Sequence, residues 1–106
     1  MESSLHQDKK LADIVGKLKN HFHPTKLYLF GSRAKGAARE GSDYDLFLIV
    51  KRSDKSSTER MKDAYRILWG ATLPVDVFVY TEEEFDESKD EVNSIANTVV
   101  AEGVEL

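Results

Sequence analysis

Cysteine is absent from the 106 residues, which excludes disulfides, thiolate metal ligands and a cysteine nucleophile. That absence fits a reducing cytoplasm, the compartment expected for this chain. With two prolines and six glycines, no low-complexity tract, repeat or linker interrupts the sequence. No apolar run approaches the roughly 20 residues that span a bilayer, and Met1-Glu2-Ser3-Ser4 does not open a signal peptide. The expectation is one domain, 1–106, with no membrane partner. Excess charge is also scarce: 15 Lys and Arg against 19 Asp and Glu leave a net −4. A nucleic-acid binder needs a concentrated basic face, so an acidic chain argues against nucleic acid as a direct substrate.

The charge that is present is unevenly placed. Residues 1–40 carry eight Lys/Arg and four Asp/Glu, residues 41–80 six of each, and residues 81–106 one Lys and nine Asp/Glu. The acidic end reads as a solvated helix face or as a docking surface for a basic partner.

Periodicity orders the chain as α-β-α-β-α-β-α, an α/β layered structure. Leu11, Ile14, Val15, Leu18 and Phe22 recur at helical spacing and predict an amphipathic helix over roughly 5–22. Pro24 ends it. Lys26–Phe30 reads as a strand, 32–38 as a short helix, Arg39–Ser42 as a loop and Tyr44–Val50 as a second strand. Ser56 and Glu59 have capping-box spacing. They open a helix whose stripe is Met61, Ala64, Tyr65, Leu68 and Trp69, with Gly70 at its end. Val75–Tyr80 is a third strand. Thr81 with Glu84 and Ser88 with Glu91 repeat the capping-box spacing. Val92, Ile95, Ala96, Val99 and Val100 mark a last helix, ended by Gly103.

The segment Gly31–Val50, GSRAKGAAREGSDYDLFLIV, is the most informative. Residues two apart on a strand point to one face, so Asp43 and Asp45 aim together. Like charges so placed repel unless a cation lies between them, and the usual cation is a divalent metal. Gly31-Ser32 at the mouth of a helix offers backbone N–H groups and a hydroxyl to an anion. Asp76 lies in the apolar run Pro74–Tyr80, where a carboxylate is costly unless paired, solvated or metal-bound. If the third strand lies beside the second, Asp76 faces Asp43 and Asp45. Three carboxylates then make a hard-oxygen site suited to Mg²⁺. Taken singly, Asp43 reads as a turn residue after Gly41-Ser42. Asp45 and Asp76 are harder to account for without a ligand, the other explanation for each being edge-strand placement or a buried lysine partner.

Other motifs fail. Gly31–Gly36 has Walker A glycine spacing, but Ala37 stands where lysine is required. His21-x-His23 is a two-ligand fragment that lacks partners. No serine has the context of a nucleophile elbow.

Gly31-Ser32, ten residues, then Asp43-x-Asp45 resembles the GSx10DxD signature of the polymerase-β-type nucleotidyltransferase superfamily. GSRAKG, SDYDLFLIV and VDVFVYT are similar to its minimal nucleotidyltransferase branch, with the likeness running from about Leu11 to the C-terminus. The resemblance implies an α/β fold of the α+β type: a small mixed three-stranded sheet in the order 1-2-3, packed with helices. It implies Mg²⁺ on Asp43 and Asp45, with Asp76 as third ligand or as base for the acceptor hydroxyl. Gly31 and Ser32 would bind the triphosphate of ATP, with Arg33 and Lys35 near the phosphates. Many such minimal proteins are antitoxins paired with a HEPN-type ribonuclease toxin, and some transfer AMP to a toxin tyrosine. The expected function is therefore Mg²⁺-dependent AMP transfer from ATP to a hydroxyl of a HEPN-type partner. The alternative is a non-catalytic antitoxin that acts by occlusion, with nucleotide as a structural ligand. Transfer to a small molecule would call for a substrate domain that 106 residues do not hold.

Overall fold

The computed structural model describes residues 2–35 and 43–106. Helix α1 (Glu2–Phe22) leads into β1 (Lys26–Phe30), a short α2 (Ser32–Lys35) and β2 (Tyr44–Val50). Helix α3 (Ser57–Ile67), β3 (Val75–Thr81), α4 (Glu82–Ser88), α5 (Ile95–Glu102) and β4 (Val104–Glu105) complete the chain. The expected loop Arg39–Ser42 and the continuation of α2 to residue 38 lie outside the described residues.

The sheet is mixed and runs β3-β2-β1-β4. β1 pairs antiparallel with β2, and β2 pairs parallel with β3. The expected order 1-2-3 is present, but the count of three strands is corrected to four among the described residues. β4 pairs antiparallel with β1, Tyr28 opposite Glu105 and Leu29 opposite Val104. A strand edge presents unpaired backbone groups, and the chain beyond Gly103 supplies them with partners. Two residues are too short to carry a period, so β4 left no mark in the sequence.

Alternation along β2 splits the core in two. Leu46, Leu48 and Val50 pack with Val77, Val79 and the α1 residues Ile14 and Leu18 on one face. Phe47 and Ile49 pack with Phe30, Ala96 and Val99 on the other. Each strand of the β2–β3 pair thus carries apolar residues on both faces, as sheets covered on both sides do.

Two capping boxes hold as expected. Ser56 and Glu59 exchange bonds at the start of α3, and Thr81 and Glu84 do so at α4. The third does not: the Ser88 hydroxyl donates to Glu84 O at 2.9 Å, and α5 is capped by Ser94, whose hydroxyl accepts from Asn97 N at 3.0 Å. Val92 therefore precedes the helix and is exposed, as is Val100. The stripe on α3 also shortens. Ala64 and Leu68 are buried, but the helix stops at Ile67 and Trp69 falls in the following turn, 90% exposed. Helical phase has no meaning past the last helical residue, which is why the spacing misplaced it. Tyr65, at the flank of the stripe, is 41% exposed.

Candidate active site

The parallel register sets Asp45 directly opposite Asp76. Both are the second residue of their strands, both are half-buried, and both share the face of Phe47 and Phe78. Asp43, exposed, stands one residue before β2 on the same alternation. Burial pushes the Asp45 carboxyl up from the usual carboxylate range, and the charges of Asp76 and Asp43 push it further. The charges of Asp43 and Asp76 thus both reach Asp45.

Gly31 makes the third wall. It follows β1 with φ +79, a left-handed conformation that side chains disfavour, and a Cβ there would run into the Asp45 carboxylate. The glycine is needed first for close packing of backbone against the acid. Ser32 opens α2, and Lys35 is its last described residue. The Arg33 guanidinium lies 4.4 Å from the centroid of the buried Tyr44 ring. That cation–π contact holds the base of α2 against β2 beside the acids.

The donor set suits a hard divalent cation: three carboxylates, with no sulfur or imidazole among them. Among the described residues, no group of three or more such side chains is already drawn together around one metal position. Carboxylates that share a field repel until a cation joins them.

Sequence reasoning missed Tyr65 as a site residue. β3 is an edge strand, and Tyr65 reaches over that edge from α3. Its hydroxyl accepts from Val77 N at 3.4 Å and donates to Asp76 Oδ1 at 3.5 Å. An aromatic residue with a polar tip at the margin of an apolar stripe is the signal that marks such a position.

The far ends of β2 and β3 are built differently. Arg60, almost fully buried, donates to both Glu84 carboxylate oxygens at 2.8 and 2.9 Å, and to Val79 O and Lys55 O. The Arg60 hydrogen bonds hold the Glu84 carboxyl well down, at about 2. A groove of about 630 Å³ opens there, lined in part by Lys51, Arg52, Arg60 and Glu84. Its buried cation is fully engaged, so the groove lacks the like-charge strain of the acidic end.

A family model for the nucleotidyltransferase domain matches residues 8–101. The chain is similar to a crystal structure of a "putative nucleotidyltransferase" from Sulfolobus solfataricus. The two share 27% identity and a TM-score of 0.67 over 98% of this chain and 82% of the other. No curated protein matches. No helix among the described residues is long and apolar enough to cross a membrane.

Proposed function

The chain belongs to the nucleotidyltransferase domain family, and from that premise we propose that it transfers AMP from ATP to an acceptor hydroxyl in a Mg²⁺-dependent reaction. The observation that carries the reading is the register pairing of Asp45 with Asp76 beside Asp43, with the Asp45 carboxyl raised by burial and by both neighbours. Structural acids are seldom assembled in this way, because like charges on a half-buried face cost stability with no return until a ligand arrives.

In this reading Asp43 and Asp45 hold Mg²⁺, with Asp76 as third ligand or as base. Bound there, the ion would neutralise charge on the triphosphate. Gly31 brings bare backbone close to the acids, and Ser32 adds a hydroxyl for a phosphate oxygen. Arg33 and Lys35 contribute positive charge on the same turn. As base, Asp76 takes the proton of the acceptor hydroxyl, which must lie within hydrogen-bond reach of its carboxylate. Positioning and electrostatics then carry most of the rate.

The acceptor we propose is a tyrosine of a HEPN-type partner protein. Its support is the likeness of GSRAKG, SDYDLFLIV and VDVFVYT to the minimal nucleotidyltransferase branch. The test is incubation with ATP, Mg²⁺ and the protein encoded beside it, with intact masses of both chains and pyrophosphate release recorded together. One nucleotide added to the partner, and lost with Asp45→Asn or Asp76→Asn, is the expected result. For Asp76→Asn, with Asp76 as base, the expected loss of transfer is roughly 100-fold or more, the scale of removing a proton-transfer group. Transfer at the wild-type rate by either variant would remove that acid from the mechanism.

A further inference from the structure

We propose that Tyr65 is itself an acceptor, and that the protein nucleotidylates its own Tyr65 hydroxyl in cis. The inference rests on the transfer reaction proposed above and names a substrate for the same site.

An acceptor hydroxyl must do two things at this site: donate to Asp76 and be open to the phosphate that meets the acids. Tyr65 does the first already, donating to Asp76 Oδ1 at 3.5 Å. Catalytic hydrogen bonds are often long before substrate binds and tighten in the reactive complex. It meets the second by exposure. Of the four tyrosines, Tyr44 is buried, Tyr28 and Tyr80 are half-buried, and Tyr65 alone is exposed.

The hydroxyl is also held in place. Val77 N donates to it at 3.4 Å across the open edge of β3, and α3, which carries Tyr65, is anchored by the buried Arg60 and its bonds to Lys55 O and Val79 O. Orientation of this kind lowers the entropic barrier of an intramolecular attack. A side chain kept only for packing would bury its ring; Tyr65 instead extends past the sheet edge and sets its oxygen against the candidate base.

The step balances without further reactants. The phenolic oxygen of Tyr65 attacks the α-phosphorus of a nucleoside triphosphate, forming a new phosphorus–oxygen bond. The bond from the α-phosphorus to the oxygen bridging to the β-phosphate breaks, and pyrophosphate leaves with that electron pair. The phenolic proton passes to the Asp76 carboxylate. The product is a phosphodiester on Tyr65.

The experiment incubates the purified full chain with ATP and MgCl₂ and no other protein. Intact mass, fragment mapping of the modified residue, and pyrophosphate release are read from the same tube. The expected result is one added nucleoside monophosphate per chain, mapped to Tyr65, at a rate per molecule that does not change over a tenfold dilution. Tyr65→Phe should abolish the adduct, and mapping in the wild-type protein gives the site without relying on that variant. An adduct on another residue, no adduct, or a rate per molecule that rises in proportion to protein concentration overturns the inference. Pyrophosphate release separates the two levels: if it accompanies transfer to a partner while Tyr65 stays unmodified, only this inference falls. If no pyrophosphate is released on any acceptor, the transfer reading falls with it.

Discussion

The two ends of the β2–β3 pair are opposites in charge design. At the far ends of the strands every buried charge meets its complement. Arg60 and Glu84 form a forked pair, and Asp63 sits against Lys55 and Arg66. The Lys55 hydrogen bond holds the Asp63 carboxyl below its usual range, as the Arg60 bonds do for Glu84. At the near ends Asp45 faces Asp76 with Asp43 alongside, and the Asp45 carboxyl moves the other way. The same two strands thus carry one end whose charges are paired and one where like charges face each other. The proposed site follows this difference in charge and not cavity volume, because the groove of about 630 Å³ belongs to the satisfied end.

The largest effect on folding should come from the satisfied end. Glu84→Ala leaves the buried Arg60 guanidinium without its fork and removes one side of the α4 capping box. Breaking a fully buried pair costs about 3–5 kcal/mol. Glu84 is 40% exposed, so water screens part of the loss, and about 2–3 kcal/mol is expected from urea melts at neutral pH. The pH dependence follows from the depressed carboxyl. Its contribution is complete above the unfolded value of 4.5 and is lost as pH falls toward the folded value of about 2. The gap between wild type and variant should therefore narrow across that window. A gap that is constant with pH would mean that the pair contributes nothing through ionisation.

Gly31→Ala should cost about 1–3 kcal/mol, since a left-handed backbone and a Cβ against the Asp45 carboxylate both oppose it. Thermal melts of the variant alone and combined with Asp45→Ala sharpen the point. Trimming Asp45 should recover part of the loss by clearing the collision, while the backbone cost remains. No recovery would place the whole cost in the backbone.

The smallest effect has the opposite sign. Asp45→Asn should stabilise the metal-free protein at neutral pH by about 1 kcal/mol, the usual scale for relieving strain at a site. A carboxyl raised in the folded state binds its proton more tightly there than in the unfolded chain. Stability is then lost as pH climbs above the unfolded value of 3.8 and through the raised folded value. The advantage of Asn should vanish below about pH 4 and reach its full size at neutral pH. An Asn variant less stable than wild type in chelator would mean that a structural partner holds Asp45, and the contrast between the two ends would fail.

Much of this was legible beforehand. The acids, the glycine and the three main strands carry local signals: period-two alternation, a GS pair, and carboxylates inside apolar runs. Thus Lys26–Phe30 and Tyr44–Val50 match β1 and β2 at both ends. What escaped was what depends on tertiary context. Trp69 continues the helical spacing of α3 but lies past its end. The start of α5 is set by the Ser94 hydroxyl, six residues after the serine whose spacing looked the part. β4 exists because β1 has an edge to offer, and the Arg60–Glu84 pair joins residues 24 apart. Tyr65 was read as core from its phase, and only the edge position of β3 explains why its hydroxyl meets Asp76.

The central claim is that the acidic end is a site for a metal-bound nucleotide, and calorimetric titration of ATP into the protein tests it most directly, once in excess Mg²⁺ and once in excess chelator. Binding of one ATP with Mg²⁺ and a loss of measurable affinity in chelator is the predicted result, because three carboxylates repel a bare triphosphate. Equal affinity in both solutions would contradict the account.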